Sequence, residues 1–290
     1  MDIFVQLTVT GLANGAILAL AALGFVVIYK ATGVINFAQG EFLLIGAYAI
    51  YAAIELYELH WALAILVGLA VAVALGLLIE RLVLRPMVGE SAIAVIMVTI
   101  GLAAVLGSLV QIRFGTTPRR MPSFMPRGTT HIAGAIVPLN RVWAIVLAVA
   151  ALAAFSLFFR RSRHGIAMRA VADDQQAAMT MGISVPRVFA MAWALAAVSA
   201  VIGGLLLANI TGVSGEVAAF GLVVFPVVIL GGLDSIPGTM VGGAIIGLLV
   251  AYTAGYVGGG LQQVIPFVVL VLILMVKPYG LFGQERIERV

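Results

Sequence analysis

Residues 33–41 read Gly33-Val34-Ile35-Asn36-Phe37-Ala38-Gln39-Gly40-Glu41, or GVINFAQGE, and stand between two long apolar runs. Two amides and a carboxylate fall close together there, bracketed by two glycines. Polar side chains at membrane depth are costly unless they face protein or water. Gly33 and Gly40 permit a sharp turn or an unwound segment, and backbone groups freed by such a break must line a cavity or be buried in protein. If the flanking runs cross a membrane, the stretch predicts a discontinuous helix.

Composition says that they do. The chain of 290 residues is 63% hydrophobic and 10% charged, with mean hydropathy +1.19. Soluble domains are roughly 45–50% apolar and about 25% charged. At about 20 apolar residues per crossing, the length accommodates eight or nine helices in one domain, residues 1–290. Only Met1, Asp2 and Ile3 precede the first run, so it is expected to be a retained helix, not a cleaved leader. The absence of Cys removes disulfides, thiol catalysis and thiolate metal sites, and no metal site is expected. The net charge of +4 fits basic membrane loops, not nucleic acid.

Apolar runs bounded by charge or by Pro/Gly clusters place spans near 4–28, 38–54, 61–79, 92–112, 141–159, 189–210, 217–233, 239–257 and 261–276. The expectation is an all-α polytopic membrane protein with Gly/Pro-interrupted segments. Two long loops, 113–140 and 160–188, are separated by one span and so face opposite sides. Arg113, Arg119, Arg120, Arg127 and Arg141 flank the first; Arg160, Arg161, Arg163, Arg169 and Arg187 balance them in the second. By parity Arg81, Arg85, Lys277, Arg286 and Arg289 join the second, so 160–188 and the C-terminus are expected to be cytoplasmic and 113–140 external. The density of Pro and Gly in 113–140 excludes a continuous helix and leaves a covering flap or an external docking surface.

A second interrupted segment, Gly231-Gly232-Leu233-Asp234-Ser235-Ile236-Pro237-Gly238, occurs late in the chain. Paired interruptions in the two halves point to a transport pathway. The expected pathway residues are Asn36, Gln39, Glu41, Asp234 and Ser235, with helix breaks at Gly33, Gly40, Gly231, Gly232, Pro237 and Gly238. Each segment is also readable as an interfacial turn, with Asn36 and Gln39 as hydrogen-bond glue between helices. Gly11, Gly15 and Ala19, and Gly242, Gly243 and Gly247, read as close-packing faces.

In the 160–188 loop, Asp173 followed by Gln176 has the form of a capping box, and Gly182 supplies a stop. A helix of about two turns is expected between them, fitted to a groove of another protein or to the lipid surface. Gln176-Ala177-Ala178-x-x-x-Gly182 resembles the Glu-Ala-Ala…Gly loop of ABC importer permeases, with Gln in place of Glu. The sequence around it, together with GLANGAILALAALGFVVIYKATGVINFAQGEFLLIGAY, VVILGGLDSIPGTMVGGAIIGL and KPYGLFG, is similar to permeases of the branched-chain amino acid importer family. The GVINFAQGE form is similar to the first of its two permease types.

That resemblance implies a bacterial inner-membrane permease subunit paired with a sister permease, two cytoplasmic ABC ATPases and an external solute-binding protein. It implies substrates among branched-chain or related amino acids, or else urea or short amides, and coupling through Asp173, Gln176, Ala177, Ala178 and Gly182. No cofactor is expected on this chain; ATP and Mg would be used by the partner ATPases. Neither Lys30 nor Lys277 lies in a GxxxxGK phosphate loop, which excludes an ATPase. Gly212-Val213-Ser214-Gly215 has the form of a nucleophile turn, but His60, His131 and His164 all lie in or beside loops, so no enzyme is expected. A self-sufficient channel or carrier is the remaining alternative, with Glu41, Glu80 and Asp234 as the acids a proton relay would need.

Overall fold

The computed structural model describes residues 2–122, 124–126, 128–258 and 260–283. Arg127, Arg286 and Arg289, counted above in assigning the faces, lie outside the described residues. Continuous apolar runs give helices: α1 (Asp2–Thr32), α2 (Gln39–Glu55), α3 (Trp61–Ile79), α4 (Ala92–Phe114), α5 (Leu139–Arg161) and α6 (Arg163–Asp173). They continue with α7 (Gln175–Thr180), α8 (Val185–Thr211), α9 (Glu216–Phe220), α10 (Val224–Gly231), α11 (Ile236–Tyr252) and α12 (Leu261–Val276). Among the described residues the fold is all-α except for one antiparallel hairpin, β1 (Thr129–Ile132) and β2 (Ala135–Pro138).

Among the described residues, six helices are long and apolar enough to cross a membrane: α1, α3, α4, α5, α8 and α11, the third and eleventh extended by π-helical turns. That is fewer complete spans than the eight or nine expected. The other three expected segments exist but are short: α2 has 17 residues, and Glu216–Gly231 and α12 are shorter than a full crossing.

A helix apolar on all sides belongs in the interior, and α1 is the centre of this bundle. Its side chains from Ile17 to Ile28 are almost wholly enclosed. Gly203 of α8 packs at Ile17 and Leu20, and Gly24 packs at Ala196 and Ser199, so α1 and α8 run antiparallel. Gly76 and Gly68 of α3 meet α8 at Trp193 and Val201, again antiparallel. On the other side of α1, Gly15 lies against Gly243 and Gly11 against Gly247 and Leu248 of α11. The small-residue faces read from the sequence are this crossing, where backbone packs on backbone.

Two faces follow from these directions. One carries the start of α1, the end of α4 and the hairpin, whose Ala133-Gly134 turn has both φ positive, the type I′ geometry. Gln6 donates to the Ile136 carbonyl at 2.8 Å, and Ala135 and Val137 are buried, so β2 packs on that end of α1. Arg119 adds a two-way backbone bridge to Val213. Its guanidinium also donates to the Tyr51 hydroxyl at 3.4 Å, and this bond raises its pKa above the usual value. The hairpin went unread because its strands are only four residues long. The opposite face, called the arginine face below, carries Lys30, Arg85, α6 and α7, and the turn between α10 and α11.

The α1–α11 crossing leaves no room for a side chain. A methyl group at Gly15 would sit 2.5 Å from the Gly243 carbonyl oxygen. Gly15→Val is therefore expected to cost about 1–3 kcal/mol, read as a lower unfolding midpoint in mild detergent. Gly101→Ala, at an open position on α4, should leave the midpoint unchanged or raise it.

Candidate functional site

Gly33 ends α1 at φ +71, its N–H bonded to the Tyr29 carbonyl at 2.8 Å. Only a residue without Cβ takes that conformation at little cost, so the first half of the break is a C-terminal glycine stop. The chain does not then turn over at the arginine face. Residues 33–36 run non-helically back into the bundle, and α2 begins at Gln39, level with Ala21 of α1. Ala21 lies roughly 16 Å of helix above the end of α1, at a 1.5 Å rise per residue. The second crossing is thus half extended chain and half helix, the expected discontinuity.

Every amide group in the break has an internal partner. Asn36 Oδ1 accepts the Ala38 N–H at 3.0 Å, and Asn36 Nδ2 donates to Gln39 Oε1 at 3.2 Å. Gln39 Nε2 donates to the Ala21 carbonyl of α1 at 3.2 Å and lies 3.5 Å from the Ala196 carbonyl of α8. Both side chains are about 1% exposed. In this conformation they tie three helices together and are closed off from solvent.

Thr99 of α4 completes the knot and was missed in the sequence, where a lone Thr in an apolar run carries no signal. Its fully buried hydroxyl accepts the Phe37 N–H at 3.3 Å and stands 3.2 Å from the Ile35 carbonyl. Its one proton goes either there or to Ile96 in its own helix, at 2.9 Å.

Glu41 behaves differently. It is half-buried, and its carboxylate makes no ion pair or side-chain hydrogen bond among the described residues. It faces a cavity of about 220 Å³ lined by Phe37, Gly40, Ile100, Ala103, Ala218 and Leu222, among others. Gly40 is not a break but a contact: it lies inside α2, pressed against Ala218 and Gly221. Gly221 opens the 3-10 turn Gly221–Val223, which interrupts the descent from α9 to α10. The partner of the first interruption is therefore this turn, not the GGLDSIPG segment.

That segment is a helix–helix turn at the arginine face. Gly232, at φ +107, ends α10; the Ser235 hydroxyl caps α11 by accepting the Gly238 N–H at 3.0 Å; Pro237 stands in the first turn. Gly231 and Gly238 are helical and packed against each other. Asp234 and Ser235 line a separate cavity of about 260 Å³ with Lys30, Arg160 and Arg169. The structure thus groups Asn36 and Gln39 with Thr99, sets Glu41 beside them, and does not bring Asp234 or Ser235 to the same place.

In the 160–188 loop, α6 runs through Asp173 because Met168 and Val171 face the body and are buried. The cap is consequently Asp174, not Asp173: its Oδ1 accepts the N–H groups of Gln176 and Ala177 at 2.8 and 3.0 Å. Gly182, at φ +81, closes α7 as expected, with Gly182 N–H on Met179 and Ile183 N–H on Ala178, a Schellman stop. Ala178 is the buried residue of α7; Gln176, Ala177, Met179 and Met181 are exposed. Between Gln175 and the Gly33–Ile35 break lies a cavity of about 340 Å³, also lined by the Glu80–Arg85 ion pair at 2.9 Å.

Residues 7–274 match the model of a family described as the branched-chain amino acid transport system permease component. The chain belongs to that permease family. It is 33% identical, over 99% of its length and 98% of the relative's, to the high-affinity branched-chain amino acid transport system permease protein LivH of Escherichia coli K12. It is 30% identical, with the same coverage, to BraD of Pseudomonas aeruginosa, which carries the same description. Its fold is similar to a chain of PsaBC from Streptococcus pneumoniae, solved in complex with a Fab, at TM-score 0.52 and 13% identity over 95% of this chain and 92% of that one. The permease is thus a component of a membrane transport system, and the break and the exposed α7 are features of a transport subunit.

Removing the Gln39 amide tests its part in the permease knot. Gln39→Leu leaves the buried Asn36 Nδ2 group without its partner and removes the second bond to the Ala21 carbonyl, and is expected to destabilise by about 1–3 kcal/mol. Thermal unfolding in detergent measures it; an unchanged midpoint would contradict the knot.

Proposed function

We propose that this permease is one membrane half of an ATP-driven importer that moves branched-chain amino acids into the cytoplasm of a bacterium. A sister permease, two cytoplasmic ABC ATPases and an external solute-binding protein complete the assembly. The observation that carries the substrate class is similarity to LivH and BraD over 99% of this chain and 98% of each relative. ATP and Mg are used by the partner ATPases.

The arginine face is the cytoplasmic one in this reading, which puts basic loops inside. There α7 is the coupling element. It rests on the body through Ala178 and presents Gln176, Ala177, Met179 and Met181 outward. A helix capped at both ends and held at one point is suited to lie in a groove of an ATPase and move with it as a rigid body. The cavity beside Gln175 reaches the Gly33–Ile35 break. A push on α7 instead has a packed route through α8, which α7 touches and which packs along α2, and from there to the Glu41 cavity.

The direct test is uptake of labelled leucine by proteoliposomes holding the complete assembly. ATP-dependent accumulation is expected, and its absence with every component present would contradict the substrate class. Deleting Gln176 to Met181 is expected to abolish uptake and leave any ATP hydrolysis unresponsive to loaded binding protein. Normal coupled uptake by the deletion would remove α7 from the route.

A further inference from the structure

We infer that Glu41 is the recognition point for the primary ammonium group of the transported molecule, within the cavity between α2, α4 and α9. The inference rests on the amino-acid reading proposed above and specifies what this chain contributes to it.

Three observations converge. First, Glu41 lies two residues beyond the start of α2, which begins deep in the bundle, so the carboxylate stands well inside the crossing and not at a loop. An ionisable side chain at that depth faces a cavity or a partner and marks a pathway. Second, it has no cation of its own: Arg85–Glu80 is the ion pair present among the described residues, and every polar group of the neighbouring knot is turned inward. The positive end of α2 partly offsets the cost of the charge without neutralising it. Third, the rest of the lining is apolar. Glycines and alanines of α2, α4 and α9 open the space, while Phe37, Ile100 and Leu222 offer larger apolar contacts.

A carboxylate at the edge of an apolar cavity of about 220 Å³ suits a small molecule with one ammonium and one branched aliphatic side chain. It does not suit urea or a neutral amide, which bring no positive charge to pair. No basic residue lines the cavity, so this chain recognises the ammonium end only. The Gly40–Gly221 contact explains why the site has this place. Two glycines let α2 and the 3-10 turn touch at their backbones, and the space beside that contact is what Glu41 overlooks.

The test uses the complete assembly in proteoliposomes, with labelled leucine as the probe. Glu41→Gln keeps the shape and removes the charge. It is expected to lower leucine uptake about tenfold or more, the scale of one lost charge-assisted hydrogen bond, while loaded binding protein still stimulates ATP hydrolysis. Glu41→Asp should retain part of the uptake. A second readout separates recognition from structure. The chain has no cysteine, so Glu41→Cys creates a single thiol, and a small cationic thiosulfonate reagent should label it at a rate that excess leucine slows. Wild-type uptake by Glu41→Gln, an unreactive Cys variant, or labelling indifferent to leucine would each overturn the inference while leaving the importer reading intact. An unreactive thiol would mean that the sister subunit covers the carboxylate. Failure of the wild-type assembly to take up any branched-chain amino acid would overturn the reading and the inference together.

Discussion

Gln39 Nε2 sits within 3.2 Å of the Ala21 carbonyl and 3.5 Å of the Ala196 carbonyl, on two antiparallel helices, while its Oε1 is held by Asn36. That one amide fixes where α2 starts. In hydrocarbon an unwound segment needs its backbone groups satisfied; here the Asn36 side chain takes the Ala38 N–H and the Thr99 hydroxyl of α4 takes the Phe37 N–H. With α2 pinned midway, its first turn is brought against the 3-10 turn at Gly221, and Glu41 lines the cavity beside that contact. The close glycine contacts of α1 with α8 and α11 hold the carbonyls where Gln39 needs them.

Most of the architecture was legible in the sequence because membrane constraints are severe. Long apolar runs must be helices, so the boundaries of α1, α3, α4, α5 and α8 follow from charge and Pro/Gly clusters. The break was legible too, since amides and glycines inside an apolar run have few explanations. Three short segments were not distinguishable from complete spans, because hydropathy measures apolar length and does not register where a helix begins in depth.

The site was read less well, and for local reasons. GGLDSIPG has all the marks of an intramembrane break, yet its Ser and Pro are capping signals of an ordinary helix start, and its Asp lines a cavity at the arginine face together with Lys30, Arg160 and Arg169. The true counterpart, Gly221, is a single glycine among apolar residues whose meaning exists only against Gly40. Thr99 was silent for the same reason. Asp173 and Asp174 are adjacent and chemically alike, and only the burial of Met168 and Val171, which carries α6 one residue further, selects the second as the cap. Interactions within a few residues were readable, whereas those made across helices required the packing.

The central claim is that this chain is one membrane subunit of a larger assembly that supplies its energy and much of its selectivity. The most direct measurement is to purify the tagged chain gently from its native membrane and identify what accompanies it by mass spectrometry. The account predicts two ABC ATPases and a second, similar but distinct permease in stable association. A chain that came out alone, or only with copies of itself, under conditions that preserve membrane complexes would contradict it.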